Sequence, residues 1–96
     1  MTNNQINLFK KIFNEILKKH DVKKAALFGS IVRGEDNKKS DIDLLIEFNG
    51  KKSLLDLAGL KIELQETVKR QVDVITYNSL HHLLRERILN EQVEIL

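Results

Sequence analysis

Apolar residues recur at three- and four-residue intervals through Ile6, Phe9, Ile12, Phe13, Ile16 and Leu17, and this spacing predicts a helix over about 4–19 with one apolar stripe. The period then changes. Residues 24–28 read as a buried strand that ends at Gly29-Ser30, with residues 31–33 placed to start a short helix before Gly34. From Ser40 to Phe48, apolar side chains at 42, 44, 46 and 48 alternate with acids at 41, 43 and 47, the period of two of a strand with one face in a core. Leu45 falls on the acidic side of that alternation, where partial exposure is expected. Residues 70–76 form another β-branched run, with Asp73 between Val72 and Val74.

Ser53, followed three residues later by Asp56, predicts the capped start of a second long helix with the stripe Leu54, Leu57, Leu60, Leu64 and Val68. Gly59 within it costs about 1 kcal/mol relative to alanine, which suggests a close helix–sheet approach. A third helix is expected from Leu80 to about Glu91, and Val93 to Leu96 forms an edge strand or a packing tail. Alternating helices and strands imply an α/β (α+β) fold, a small mixed β-sheet with helices on one face and acidic residues on the other.

The chemistry gathers on that acidic face. Asp41 and Asp43 project to the same side of one strand, with Cα atoms roughly 7 Å apart at the usual rise per residue. Two such carboxylates repel, and each has a raised pKa unless a cation neutralises them. Mg²⁺ suits the pair, since it favours oxygen ligands and is commonly held by one or two carboxylates with substrate phosphates. If the strand of Asp73 lies beside the first in register, Asp73 joins them and is placed to bind a second ion and align an attacking hydroxyl. The other half of the site is the turn. Glycine at 29 lets backbone approach a phosphate, Ser30 adds a hydroxyl donor and Arg33 a guanidinium fork. Gly29 and Gly34 have the glycine spacing of a Walker loop, but Glu35-Asp36 stands where Lys-Ser/Thr is required.

Gly29-Ser30, then Asp41-x-Asp43 after ten residues, with Arg33-Gly34-Glu35 in the gap, Ser40 before the pair and Val72-Asp73-Val74 downstream, resembles the DNA polymerase beta-like nucleotidyltransferase superfamily. The likeness extends from about Val22 to the end of the sequence. The short length is similar to that of minimal nucleotidyltransferases, which act as antitoxins beside HEPN-domain ribonuclease toxins. That resemblance implies a polymerase beta-like nucleotidyltransferase fold, two Mg²⁺ ions on Asp41, Asp43 and Asp73, and nucleotide binding by Gly29, Ser30 and Arg33. It also implies transfer of AMP from ATP to a tyrosine hydroxyl of a HEPN toxin, in the manner of a type VII toxin–antitoxin pair. Two other readings stand beside it: neutralisation of a toxin by binding alone, and a stand-alone transferase for a small hydroxyl-bearing molecule.

Composition narrows these. With 96 residues, 42% of them hydrophobic, one domain over 1–96 is expected, without room for a separate substrate domain. A partner is then expected to complete the acceptor site. Cysteine is absent and no stretch approaches membrane-spanning length, so a cytoplasmic location is expected. A net charge of +2 is no nucleic-acid footprint, and no direct nucleic-acid binding is expected. Lys38-Lys39 lies where it would counter triphosphate charge, Glu35 where it would cap or brace the turn. His81-His82 reads as an exposed helix start, because adjacent helix residues do not face each other. Tyr77, the sole tyrosine, reads as a packing or strand-end residue.

Overall fold

The computed structural model describes residues 3–34 and 41–96. Within them the order is α1 (Asn3–Lys19), β1 (Val22–Phe28), α2 (Ser30–Arg33), β2 (Ile42–Phe48), α3 (Leu54–Val68), β3 (Val72–Thr76), a 3₁₀ turn (Tyr77–Ser79), α4 (His82–Glu91) and β4 (Val93–Glu94). The strands form one sheet in the order β3-β2-β1-β4. β1 pairs antiparallel with β2 and β4, whereas the crossover through α3 makes β2 and β3 parallel. The expected mixed sheet is thus present, with Val93–Glu94 as the strand at one edge and β3 at the other.

Period-two alternation splits the apolar residues between the two faces of the sheet. Ala25 and Leu27 of β1, Ile42, Leu44 and Ile46 of β2, and Val72 of β3 meet Phe9, Phe13, Ile16 and Leu17 of α1 and Leu60 and Leu64 of α3. The capping box at the start of α3 is complete: the Asp56 N–H donates to Ser53 Oγ, and the Ser53 N–H donates to Asp56 Oδ2 at 2.8 Å. Its stripe is covered only from Leu57 onward, and Leu54 is left 83% exposed.

The structure departs from the sequence reading at three points. Leu45 is fully buried rather than partly exposed, because α4 brings Ile88 and Leu89 onto the second face, where they pack with Phe28, Leu45, Ile75 and Tyr77. The sheet therefore has α1 and α3 on one face and the shorter α4 over part of the other. Gly59 marks no helix–sheet approach: it is exposed, and a methyl there would meet only His20 Cε1, at 4.0 Å. The last helix starts at His82 rather than Leu80, since Tyr77–Ser79 first makes a 3₁₀ turn and His81 Nδ1 caps α4 by accepting the Leu83 N–H at 3.2 Å. Among the described residues, no helix is long and apolar enough to cross a membrane.

The second cluster is small, so each member matters. Leu45→Ala should cost about 2–5 kcal/mol in denaturant unfolding, the range for deleting a buried leucine side chain. A cost near zero would mean that α4 does not cover that face.

Candidate active site

Two strands, β2 and β3, deliver the acidic residues to one end of the sheet, and β1 delivers the Gly29 turn beside them. Phe28 lies opposite Asp43 on the antiparallel ladder, and Asp43 lies opposite Asp73 on the parallel one. Asp41 stands one residue ahead of β2 and is exposed, whereas Asp43 and Asp73 are half-buried. The flanking Ile42 and Leu44 are fully buried on the opposite side, which fixes the direction in which Asp43 points.

Beyond Phe28 the chain turns at Gly29, with φ at 79°, a conformation that side chains disfavour. A Cβ there would run into the Asp43 carboxylate, with Oδ2 the nearest atom and Cγ at 3.1 Å. The turn and the carboxylate are therefore packed directly against each other. α2 follows at once, with Ser30 as its first residue and partly exposed, and Gly34 closes it in the left-handed conformation by donating its N–H to the Ser30 carbonyl. Glu35, Lys38, Lys39 and Ser40 lie outside the described residues.

Two residues at this end were not anticipated from the sequence. Glu91, the last residue of α4, accepts the Gly29 N–H at 2.7 Å and the Arg33 Nη1–H at 3.0 Å. A signal for it existed: Glu91 follows the buried Ile88 by three residues, so it continues the covered side of α4 with a carboxylate. It also lies at a helix C-terminus, where the helix dipole disfavours an anion unless donors hold it. The other is Lys61 of α3, whose Nζ is 3.9 Å from Asp73 Oδ1, with both side chains about 40% exposed.

Electrostatics single out Asp43. Its burial, then the neighbouring Asp73 and Asp41 charges, push its pKa up to about 6, with Arg33 opposing and Glu91 adding to the shift. The donor set is all carboxylate oxygen, hard and anionic, and suits a divalent cation of the Mg²⁺ class. Among the described residues no three carboxylates or histidines are gathered closely enough to hold an ion as they stand. Any ion here must complete its shell with oxygens from substrate or water.

The other candidates are structural. Tyr77 is 8% exposed and donates its hydroxyl to Gln92 Oε1 at 2.8 Å, beneath Lys24 Nζ. Its phenol is pushed above its ordinary pKa by burial, then by Glu94 and Glu47, so it is poorly placed as a nucleophile. His81 and His82 stack at 4.7 Å on the exposed start of α4. A cavity of about 380 Å³ lined by Ile46, Phe48, Lys51, Tyr77 and Asn78 lies toward the far end of β2 and includes none of the acidic trio.

Residues 10–96 match the family model described as Polymerase beta, Nucleotidyltransferase. A Methanocaldococcus jannaschii protein with the provisional name protein adenylyltransferase MJ0435 is 55% identical over 91 residues, covering 95% of this chain and 98% of its own length. The protein adenylyltransferase MntA of Thermococcus cleftensis is 32% identical over 81 residues, covering 84% of this chain and 82% of its own. A solved structure provisionally described as a minimal nucleotidyltransferase superposes with a TM-score of 0.81 at 31% identity, over 97% of this chain and 95% of the other. The fold recurs, at 16% identity and a TM-score of 0.73, in a complex of the tri-AMPylated Shewanella oneidensis HEPN toxin with its MNT antitoxin, over 94% of this chain and 71% of that one.

The raised Asp43 pKa has a definite pH signature. An acid with a raised folded pKa binds its proton more tightly folded than unfolded, so its stabilising contribution is complete below 3.8 and is lost as pH rises through about 6. Metal-free Asp43→Asn should therefore be more stable than the parent near neutral pH, by about 1 kcal/mol once solvent screening is allowed for. Thermal melts in chelator should show that gap closing at low pH. A gap of the same size at every pH would assign it to packing.

Proposed function

The chain belongs to the polymerase beta nucleotidyltransferase family, and on that premise we propose that it is an Mg²⁺-dependent protein adenylyltransferase. It transfers AMP from ATP to a tyrosine hydroxyl of a HEPN-domain toxin and thereby acts as that toxin's antitoxin. The observation that carries the reading is the cross-strand alignment of Asp43 with Asp73, packed against the Gly29 turn. Support for a protein acceptor comes from the adenylyltransferase relatives and from the AMP-modified toxin in the complex of the same fold.

Each residue then has a task. Asp41, Asp43 and Asp73 would hold Mg²⁺ together with oxygens of the triphosphate, and the ion would neutralise triphosphate charge and favour the ionised acceptor oxygen. The Gly29 turn and Ser30 face the triphosphate with a backbone amide and a hydroxyl, and Arg33 supplies a guanidinium. Asp73 orients the attacking hydroxyl and takes up its proton. The new bond joins the tyrosine oxygen to the α-phosphorus, the bond from that phosphorus to the bridging oxygen breaks, and pyrophosphate leaves. Tyr77 is not the acceptor, because its hydroxyl is committed to Gln92.

The direct test mixes the chain with Mg²⁺, the HEPN partner and ATP labelled at either the α- or the γ-phosphate. Label should reach the partner from α-labelled ATP alone, and Asp41→Ala/Asp43→Ala should abolish transfer while remaining folded. An unlabelled partner that is nevertheless bound and inactivated would establish neutralisation by occlusion instead.

A further inference from the structure

Glu91 holds the turn in a manner that nucleotide binding by itself does not explain. Its Oε1 accepts both the Gly29 N–H, at 2.7 Å, and the Arg33 Nη1–H, at 3.0 Å, while Oε2 lies 3.3 Å from the same guanidinium nitrogen. One carboxylate thus takes a backbone amide and a guanidinium from the segment assigned above to the triphosphate. These are the donor types that phosphate oxygens use.

The location is otherwise unfavourable for an anion. Glu91 ends α4, where the last carbonyls carry partial negative charge, and the last turn of that helix has no basic residue. It also stands near enough to Asp43 to add to the repulsion on that carboxylate. Its side chain is only 18% exposed, so water does little to offset these costs. What holds it there is the pair of donors at the turn.

We propose that Glu91 is a resident anion that occupies the Gly29 amide and Arg33 in the nucleotide-free chain and yields both to the incoming triphosphate. The inference rests on the nucleotide reading given above. Displacement of this kind exchanges one set of charge-assisted hydrogen bonds for another, so the turn keeps its donors satisfied in both states. It also makes nucleotide affinity a competition, set by how tightly Glu91 is held. A carboxylate that merely braced the turn would have the opposite effect, since loosening it would weaken nucleotide binding.

The sign of one measurement separates the two roles. Glu91→Gln keeps an acceptor for the Gly29 N–H but removes the charge that competes for Arg33. Equilibrium titration of the full chain with ATP and Mg²⁺, in the absence of any acceptor, should show the variant binding ATP about tenfold more tightly, the difference between a charged and a neutral acceptor on the same donors. Unchanged or weaker binding would overturn the displacement and leave the nucleotide reading standing. Failure of the parent chain to bind ATP would overturn both. A structure of the parent with a non-hydrolysable ATP analogue tests the same point without any substitution: the Glu91 carboxylate should have left the Gly29 N–H, and finding it still in place would refute the proposal.

Discussion

The contact between the Gly29 backbone and the Asp43 carboxylate constrains the whole of this end of the molecule. Asp43 is placed by β2, the strand between β1 and β3, and cannot move without disturbing both ladders. Gly29 must then pass beside it without a side chain, in a left-handed conformation, before α2 begins. The turn is thereby held against a carboxylate whose ionisation is disfavoured. Glu91 tightens the arrangement from the far side by taking the Gly29 N–H. The functional geometry thus depends on close packing between backbone and side chain, not on a preformed cage of ligands.

Gathering like charges costs energy, and the apolar layer beneath sets the scale against which that cost is measured. Ile42, Leu44 and Ile46 alternate with Asp43 and Leu45 along β2 and are fully buried. Each such side chain contributes about 1.5–3 kcal/mol on removal from water. The cost of ionising Asp43, which comes first from its burial and then from its acidic neighbours, is about 1 kcal/mol after screening and is smaller than the contribution of any one of them. The same alternation that supplies the core also directs the carboxylates away from it. The larger core cluster and the carboxylates lie on opposite faces of one strand, and that packing holds Asp43 in place.

Much of this was legible in the sequence because it follows from local periods. The α1 stripe, the alternation of β2 and the capping box at Ser53 each depend on neighbours within a few residues, whereas the choice between edge strand and packing tail at the last residues waits on pairing with Ala26 and Leu27. Asp43 and Asp73 required one assumption, that their strands lie side by side, and the parallel register supplies it. What escaped the sequence depends on contacts made across the chain. Leu45 reads as partly exposed until α4 brings Ile88 and Leu89 over it. Glu91 reads as an ordinary helical acid until it reaches Gly29, 62 residues earlier. Gly59 carried a propensity signal with no packing behind it, since its surroundings are open apart from His20.

The treatment of acidic side chains across the fold gives that arrangement its meaning. Asp21 is held below its ordinary pKa by hydrogen bonds from Lys52 and Asn49, Asp56 by its capping bonds to Ser53, and Glu63 by Lys19 and His20. Asp21 and Asp56 are exposed and Glu63 is partly so, and such pairs contribute little to stability. Asp43 has the reverse situation: it is half-buried and faces Asp73, Asp41 and Glu91, with Arg33 opposing them. Selection for stability alone would pair the buried charge first, because desolvation makes it the costly one. An acid left half-buried among like charges, in a chain that gives donors to Asp21, Asp56 and Glu63, marks Asp43 as a functional-site candidate.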